Sequence, residues 1–132
     1  MNEKRLHWDL TQEVIAAYYT VYNELGYGFL ESVHKNALVV ELQARNLIVR
    51  REVPVELFYL GHSVGLFRID MLVADRVLVE VKSSSAIGDS DNRQLFNYLR
   101  ASKKAVGLLL HFGPKPAFKR FVWTGKRFDS QS

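Results

Sequence analysis

The chain has 132 residues, with 18 Lys plus Arg against 14 Asp plus Glu, four His and no Cys. The formal net charge is +4 and the pI about 9.4, which fits a polyanionic partner without requiring one. The length favours one domain spanning residues 1–132, the 48% hydrophobic content excludes a disordered chain, and the lack of Cys excludes disulfides, a thiolate zinc site and a Cys nucleophile.

The charged start, Met1-Asn2-Glu3-Lys4-Arg5, runs straight into His7, Trp8 and Asp9 and has no signal-peptide pattern. No apolar run approaches the ~20 residues that span a bilayer. A cytoplasmic protein is expected. Leu10, Val14, Tyr18, Val21 and Leu25 recur at helical spacing, so a first helix is predicted from about Asp9 to Leu25. Asp9 and Gln12 fit a capping box, and Gly26 fits a C-terminal stop. A second helix is predicted from about Leu30 to Arg45, with Leu30, Val33, Ala37, Leu38, Glu41 and Leu42 as its repeat. The short Gly26-Tyr27-Gly28 link makes the two helices packing neighbours.

After Asn46 the pattern becomes extended. Ile48 to Tyr59 reads as strand, with Pro54 at an edge or bulge. Leu60-Gly61-His62 reads as a turn, Val64 to Val73 as a strand, Ala74-Asp75-Arg76 as a turn and Val77 to Lys82 as a strand. Together these form an antiparallel meander. Ser83 to Asp91 is a polar loop, and Asp91 or Asn92 caps a third helix through about Ser102. Ala105 to Phe112 is a continuous apolar run, as in a strand buried on both faces. Gly113-Pro114-Lys115-Pro116 breaks it, and Phe118 to Trp123 alternates as a last, half-exposed strand. The order α-α-β-β-β-α-β-β is an α/β domain with a mixed central sheet flanked by helices.

Four charged residues stand out in this frame. Glu80 and Lys82 lie in an otherwise apolar strand, on one face and roughly 6.5–7 Å apart. Charges in such a strand are costly unless they are paired or engaged with a ligand. Asp70 lies between apolar neighbours in the preceding strand, and Glu31 opens the second helix. A two-residue turn at Asp75-Arg76 would put Asp70 and Glu80 on opposite faces. A three-residue turn, Ala74-Asp75-Arg76, sets them side by side with Cβ atoms ~4.5–5.5 Å apart. Adjacent carboxylates repel unless a cation lies between them, so an odd-length turn or a bulge between Asp70 and Glu80 is expected, together with a hard divalent ion, Mg²⁺ or Mn²⁺. Such an ion polarises phosphate and acidifies bound water, and Lys82 is suited to hold the nucleophile or stabilise phosphoryl charge.

Asp70, nine intervening residues and Glu80-Val81-Lys82 resemble the D…(D/E)-x-K motif of the PD-(D/E)XK nuclease superfamily. Gly28-Phe29-Leu30-Glu31-Ser32-Val33-His34 resembles the G-x-x-E-x-x-Y segment of one family within it, with His34 in place of the Tyr. The similarity continues through Arg50–Pro54, Phe67–Asp70 and Gly107–Gly113, from about residue 9 to residue 123. Gln94-Leu95-Phe96-Asn97-Tyr98 resembles the superfamily's Q-x-x-x-Y segment, whose two named residues share a helix face.

The resemblance implies a restriction-endonuclease-like core and a Mg²⁺- or Mn²⁺-dependent nuclease, with DNA ahead of RNA as substrate. In that reading Glu31, Asp70, Glu80, Lys82 and Gln94 are catalytic. Asp70 and Glu80 bind metal and Glu31 adds a direct or water-mediated contact. Tyr98, Arg93, Lys119, Arg120 and His34 are candidates for substrate contact. Related folds often dimerise to reach two strands, so a homodimer is allowed, although no sequence feature marks its face.

The bland alternatives are a salt-bridged Asp70, a helix-favoured Glu31 and ordinary surface for Gln94 and Tyr98. No metal-ligand spacing links His7, His34, His62 and His111, and Ser83, Ser84 and Ser85 lack a partnered base. Basic residues fall in patches: Arg45, Arg50 and Arg51; Arg93, Arg100, Lys103 and Lys104; Lys115, Lys119, Arg120, Lys126 and Arg127. Such patches suit a phosphate backbone or simple solvation. The competing functions are a non-catalytic module that binds nucleic acid or protein, and an interaction protein whose acids and Lys82 form a buried network.

Overall fold

A computed structural model describes residues 6–125. Its elements are α1 (Trp8–Leu25), α2 (Glu31–Ala44), β1 (Val49–Tyr59), β2 (His62–Val73), β3 (Val77–Lys82), α3 (Asp89–Ser102), β4 (Val106–Phe112) and β5 (Pro116–Val122). The five strands form one mixed sheet in the order β1-β2-β3-β4-β5. Only the β3–β4 pair is parallel, because α3 provides the crossover between those strands.

Helices cover both sheet faces. On one face, Leu10, Val14, Ala17, Tyr18 and Val21 of α1 and Leu38, Val39 and Leu42 of α2 pack on Met71, Val73, Val77, Val79, Val81, Val106, Leu108, Leu110 and Phe112. On the other, Leu95 and Leu99 of α3 pack on Val53, Ile69, Leu72, Leu78 and Leu109. Every residue of β4 is buried, as its unbroken apolar run requires. Leu95 and Leu99 are fully buried, and each contributes roughly 2–3 kcal/mol to holding α3 against the sheet. Gly107 permits this close approach. A Cβ there would stand 3.1 Å from Leu99 Cδ2 and 3.2 Å from Leu95 Cδ1.

Several element ends differ from the sequence reading. His7, with φ 52°, caps α1, and Asp9 lies inside the first turn. Gly26 does end that helix, donating its N–H to Tyr22 O at 2.7 Å. The buried stripe of α2 is His34, Leu38, Val39 and Leu42, leaving Leu30 and Val33 exposed. Only Leu60 and Gly61 form the β1–β2 turn, both at positive φ, and His62 already belongs to β2. α3 starts earlier than predicted because Asp91 caps it from inside, accepting the Gly88 N–H at 2.9 Å. Pro54 lies on edge strand β1, where its missing donor is tolerated. No helix among the described residues is long and apolar enough to cross a membrane.

The β2–β3 pairing matters most for the site. Val73 pairs with Val77, Leu72 with Leu78 and Met71 with Val79, around a three-residue turn whose Ala74 and Asp75 have positive φ. This is the expected odd-length turn, but the expected Asp70–Glu80 strand pair is not part of the ladder. The ladder stops there, while β3 continues alongside β4 to the Lys82–His111 pair. Beyond Met71, β2 therefore parts from β3 and stays paired only with β1. The side-chain alternation also slips at this point. Ile69 and Leu72 share one core, whereas Met71 and Val73 face the other. On β1, Glu52 adopts φ 48° between the Arg51–Met71 and Val53–Ile69 pairs. The slip places Asp70 at the fork between the two strands.

Candidate functional site

Asp70 and Glu80 close the fork with their side chains. The Glu80 carboxylate Oε2 accepts the Asp70 backbone N–H at 2.8 Å, and Asp70 Oδ2 accepts the Val81 N–H at 2.8 Å. Each carboxylate satisfies a backbone donor that the lost ladder would otherwise leave unpaired. Glu80 is only 4% exposed. Burial, followed by the charge of Asp70, pushes its pKa up to about 8, against the hydrogen bond from the Asp70 N–H and the nearby Lys82 and Lys35.

Lys82 approaches from β3 on the α3 side. Its Nζ donates to Gln94 Oε1 at 3.1 Å and lies 3.9 Å from Asp91 Oδ1. Gln94 is placed by the burial of its neighbour Leu95, and Tyr98 follows one turn later on the same helix face. Tyr98 stacks on Phe67 of β2, with ring centroids 4.2 Å apart and planes 9° from parallel. Its pKa is raised, first by burial and then by Glu80 and Asp70. Arg93, Gln94, Asn97 and Tyr98 line a cavity of about 490 Å³ along α3.

The α2 side brings a residue that the sequence reading missed. Lys35 Nζ lies 3.1 Å from Asp70 Oδ1, 3.6 Å from Glu52 Oε2 and 3.8 Å from Glu31 Oε2. Burial works against the charged ammonium, but the hydrogen bond and charge of Asp70, with Glu52 and Glu31, outweigh it and raise its pKa. The one sequence signal for Lys35 was its i,i+4 spacing from Glu31. Glu52 had none, because its left-handed backbone in β1 leaves no trace in the spacing.

The donors at the fork are carboxylate oxygens, the chemistry preferred by hard divalent ions. A cationic ammonium already stands among them. Among the described residues, however, no three His, Asp or Glu side chains converge well enough to hold an ion. The protein donors that fit are Asp70 and Glu80, consistent with the one or two carboxylates plus waters that Mg²⁺ usually takes. Glu31 meets the Lys35 ammonium and does not join the Asp70–Glu80 bonding.

Three further predicted contacts are placed as follows. His34 is fully buried and stacks on Phe112 at 4.1 Å. Its Nδ1 meets Ser83 Oγ at 2.8 Å and its Nε2 meets Gly26 O at 3.2 Å. Burial lowers its pKa, and a side chain so enclosed cannot touch substrate. Arg120 pairs with Leu108, whose side chain lies in the α1/α2 core. Arg120 therefore turns to that face, donating to Leu6 O at 2.6 Å and lying over the Trp8 ring. Lys119 pairs with Leu109, which is in register with Glu80, so it stands on the α3 face two strands from the acids. Arg45 is bound to Glu13 and Glu41, and Arg50 and Lys104 to Asp75. Lys126 and Arg127 lie outside the described residues.

The fold is similar to that in the crystal structure of a protein designated SSO0001, with a TM-score of 0.56 and 19% identity. The match covers 91% of this chain and 61% of that one, so this chain spans less than two-thirds of that protein's length. No curated protein matches the chain. The sequence model of the PD-(D/E)XK nuclease superfamily matches residues 8–121, which include every element from α1 to β4 and nearly all of β5. With that extent of match, and with Asp70 and Glu80 bonded at the fork of a mixed sheet and the charge of Lys82 felt at Glu80, the chain belongs to the PD-(D/E)XK nuclease superfamily.

Proposed function

We propose that the chain is a cytoplasmic, Mg²⁺- or Mn²⁺-dependent nuclease of the G-x-x-E-x-x-Y type that hydrolyses phosphodiester bonds, with DNA ahead of RNA as substrate. The observation that carries this reading is the reciprocal bonding of Asp70 and Glu80 at the β2–β3 fork, with Lys82 alongside. Asp70 and Glu80 hold the ion. A divalent ion there supplies Lewis acidity to a phosphate oxygen and lowers the pKa of bound water.

Lys82 positions the attacking water or stabilises charge on the phosphoryl oxygens. Gln94 accepts a hydrogen bond from the Lys82 ammonium and so fixes its direction. Arg93, Tyr98 and Lys119 lie on the α3 side, where they can receive the substrate backbone and bases. The purified chain with added Mn²⁺ or Mg²⁺ is expected to cut single-stranded, duplex or branched nucleic acid. That activity should vanish in Asp70→Ala and fall steeply in Lys82→Ala. Failure to cut any of these substrates with either metal counts against the reading.

One observation favours a second reading, a non-catalytic module that binds nucleic acid or protein. Lys35 already compensates Asp70, and no three-carboxylate set converges among the described residues. That module would bind with a salt slope reporting phosphate contacts. It would need no metal and would be indifferent to Lys82→Ala.

A further inference from the structure

We propose that Lys35 is a resident counter-cation of the acidic centre, and that a divalent ion binds by displacing its ammonium from Asp70. The inference rests on the metal-site reading above and adds a residue that sets the affinity of that site.

Asp70 Oδ2 is committed to the Val81 N–H, so Oδ1 is the oxygen left for a cation. Lys35 Nζ holds Oδ1 at 3.1 Å. An ion bonded to that oxygen at about 2.0–2.1 Å, as Mg²⁺ is, would face the ammonium at close range. The two cations repel and compete for one acceptor. The Lys35 side chain is 19% exposed, and its four-carbon stem can swing.

Glu31 and Glu52, 3.8 and 3.6 Å from the same ammonium, come from α2 and β1 and do not enter the Asp70–Glu80 bonding. They can keep the displaced ammonium close to the site. In the metal-free protein, Lys35 offsets a cluster of acids brought together from three elements. On metal binding, the ion takes over that role at Asp70.

The test is calorimetric titration of the full chain with MnCl₂ alone, comparing wild type, Lys35→Met, Lys35→Arg and Asp70→Asn. Lys35→Met should bind Mn²⁺ about fivefold to a hundredfold more tightly than wild type, the usual range for coupled ligands. Lys35→Arg, which keeps a cation, should stay near wild type. Without metal, Lys35→Met should melt below wild type and gain more from Mn²⁺. Unchanged or weaker Mn²⁺ binding by Lys35→Met, with binding still abolished by Asp70→Asn, overturns this inference alone. Equal binding by wild type and Asp70→Asn, or no binding by any variant, overturns the metal-site reading and this inference with it.

Amine labelling of wild type gives a measurement that does not depend on the variant folding. Lys35 should be acylated faster in Mn²⁺ than in chelator, as read by peptide mass spectrometry. An unchanged rate overturns the displacement.

Discussion

Asp70 and Glu80 each use a carboxylate to cap the other strand: Glu80 Oε2 takes the Asp70 N–H, and Asp70 Oδ2 takes the Val81 N–H, both at 2.8 Å. The strands part at this point, yet the freed donors stay satisfied. The same two side chains thus close the fork and, in the proposed function, supply oxygens for a cation. That dual duty puts a buried acid at Glu80 and gives metal-free stability a pH dependence.

The folded-state pKa of Glu80 is raised from 4.5 to about 8, with burial as the largest cause. Between those values the folded protein keeps a proton that the unfolded chain releases. Its stabilising contribution is therefore full below the unfolded pKa and is lost as pH rises through the folded one. In chelator, wild-type stability from urea unfolding is expected to fall from about pH 5 to about pH 8, by on the order of a few kcal/mol. Glu80→Gln, neutral throughout, should flatten that part of the profile. A wild-type curve that rises over the same interval contradicts the assignment.

Lys82 and Gln94 should separate in magnitude. Under single-turnover conditions with Mn²⁺, Lys82→Ala is expected to slow cleavage about 10²–10³-fold, as when one electrostatic stabiliser is removed. Gln94 acts through the Lys82 ammonium, so Gln94→Ala should cost only about 10–100-fold. Equal losses would place Gln94 directly on the substrate.

Gly107 tests whether the site depends on the seating of α3. An added Cβ meets Leu99 and Leu95 at 3.1 and 3.2 Å. Gly107→Ala is expected to destabilise the protein by about 1–3 kcal/mol and to push α3 outward. Because α3 carries Gln94 and β3 carries Lys82, cleavage should slow at temperatures where the variant is still folded. Full activity in a destabilised variant would show that α3 gives way without moving Gln94.

His34 should behave as a packing residue. His34→Ala removes two hydrogen bonds and a stacked ring from a fully buried position. It is expected to cost about 2–3 kcal/mol in urea unfolding. At temperatures well below its midpoint, cleavage per folded molecule should hold. His34→Tyr places the residue of the G-x-x-E-x-x-Y pattern in a filled pocket and should also destabilise, through overpacking.

The sequence by itself determined the order of elements, the mixed sheet with its fully buried β4, and an odd-length turn between Asp70 and Glu80. These follow from local periodicity, and from the requirement that two acids in apolar strands share one face. Only the tertiary structure decided where β2 leaves β3: their ladder ends at Met71–Val79, while β3 runs on beside β4 to Lys82. It also brought Lys35 to Asp70, buried His34 against Phe112 and turned Arg120 toward Leu6. Those contacts join residues far apart in the chain. The direction of a side chain there is fixed by which sheet face its strand presents and which helix covers it, and spacing along one segment carries no record of either.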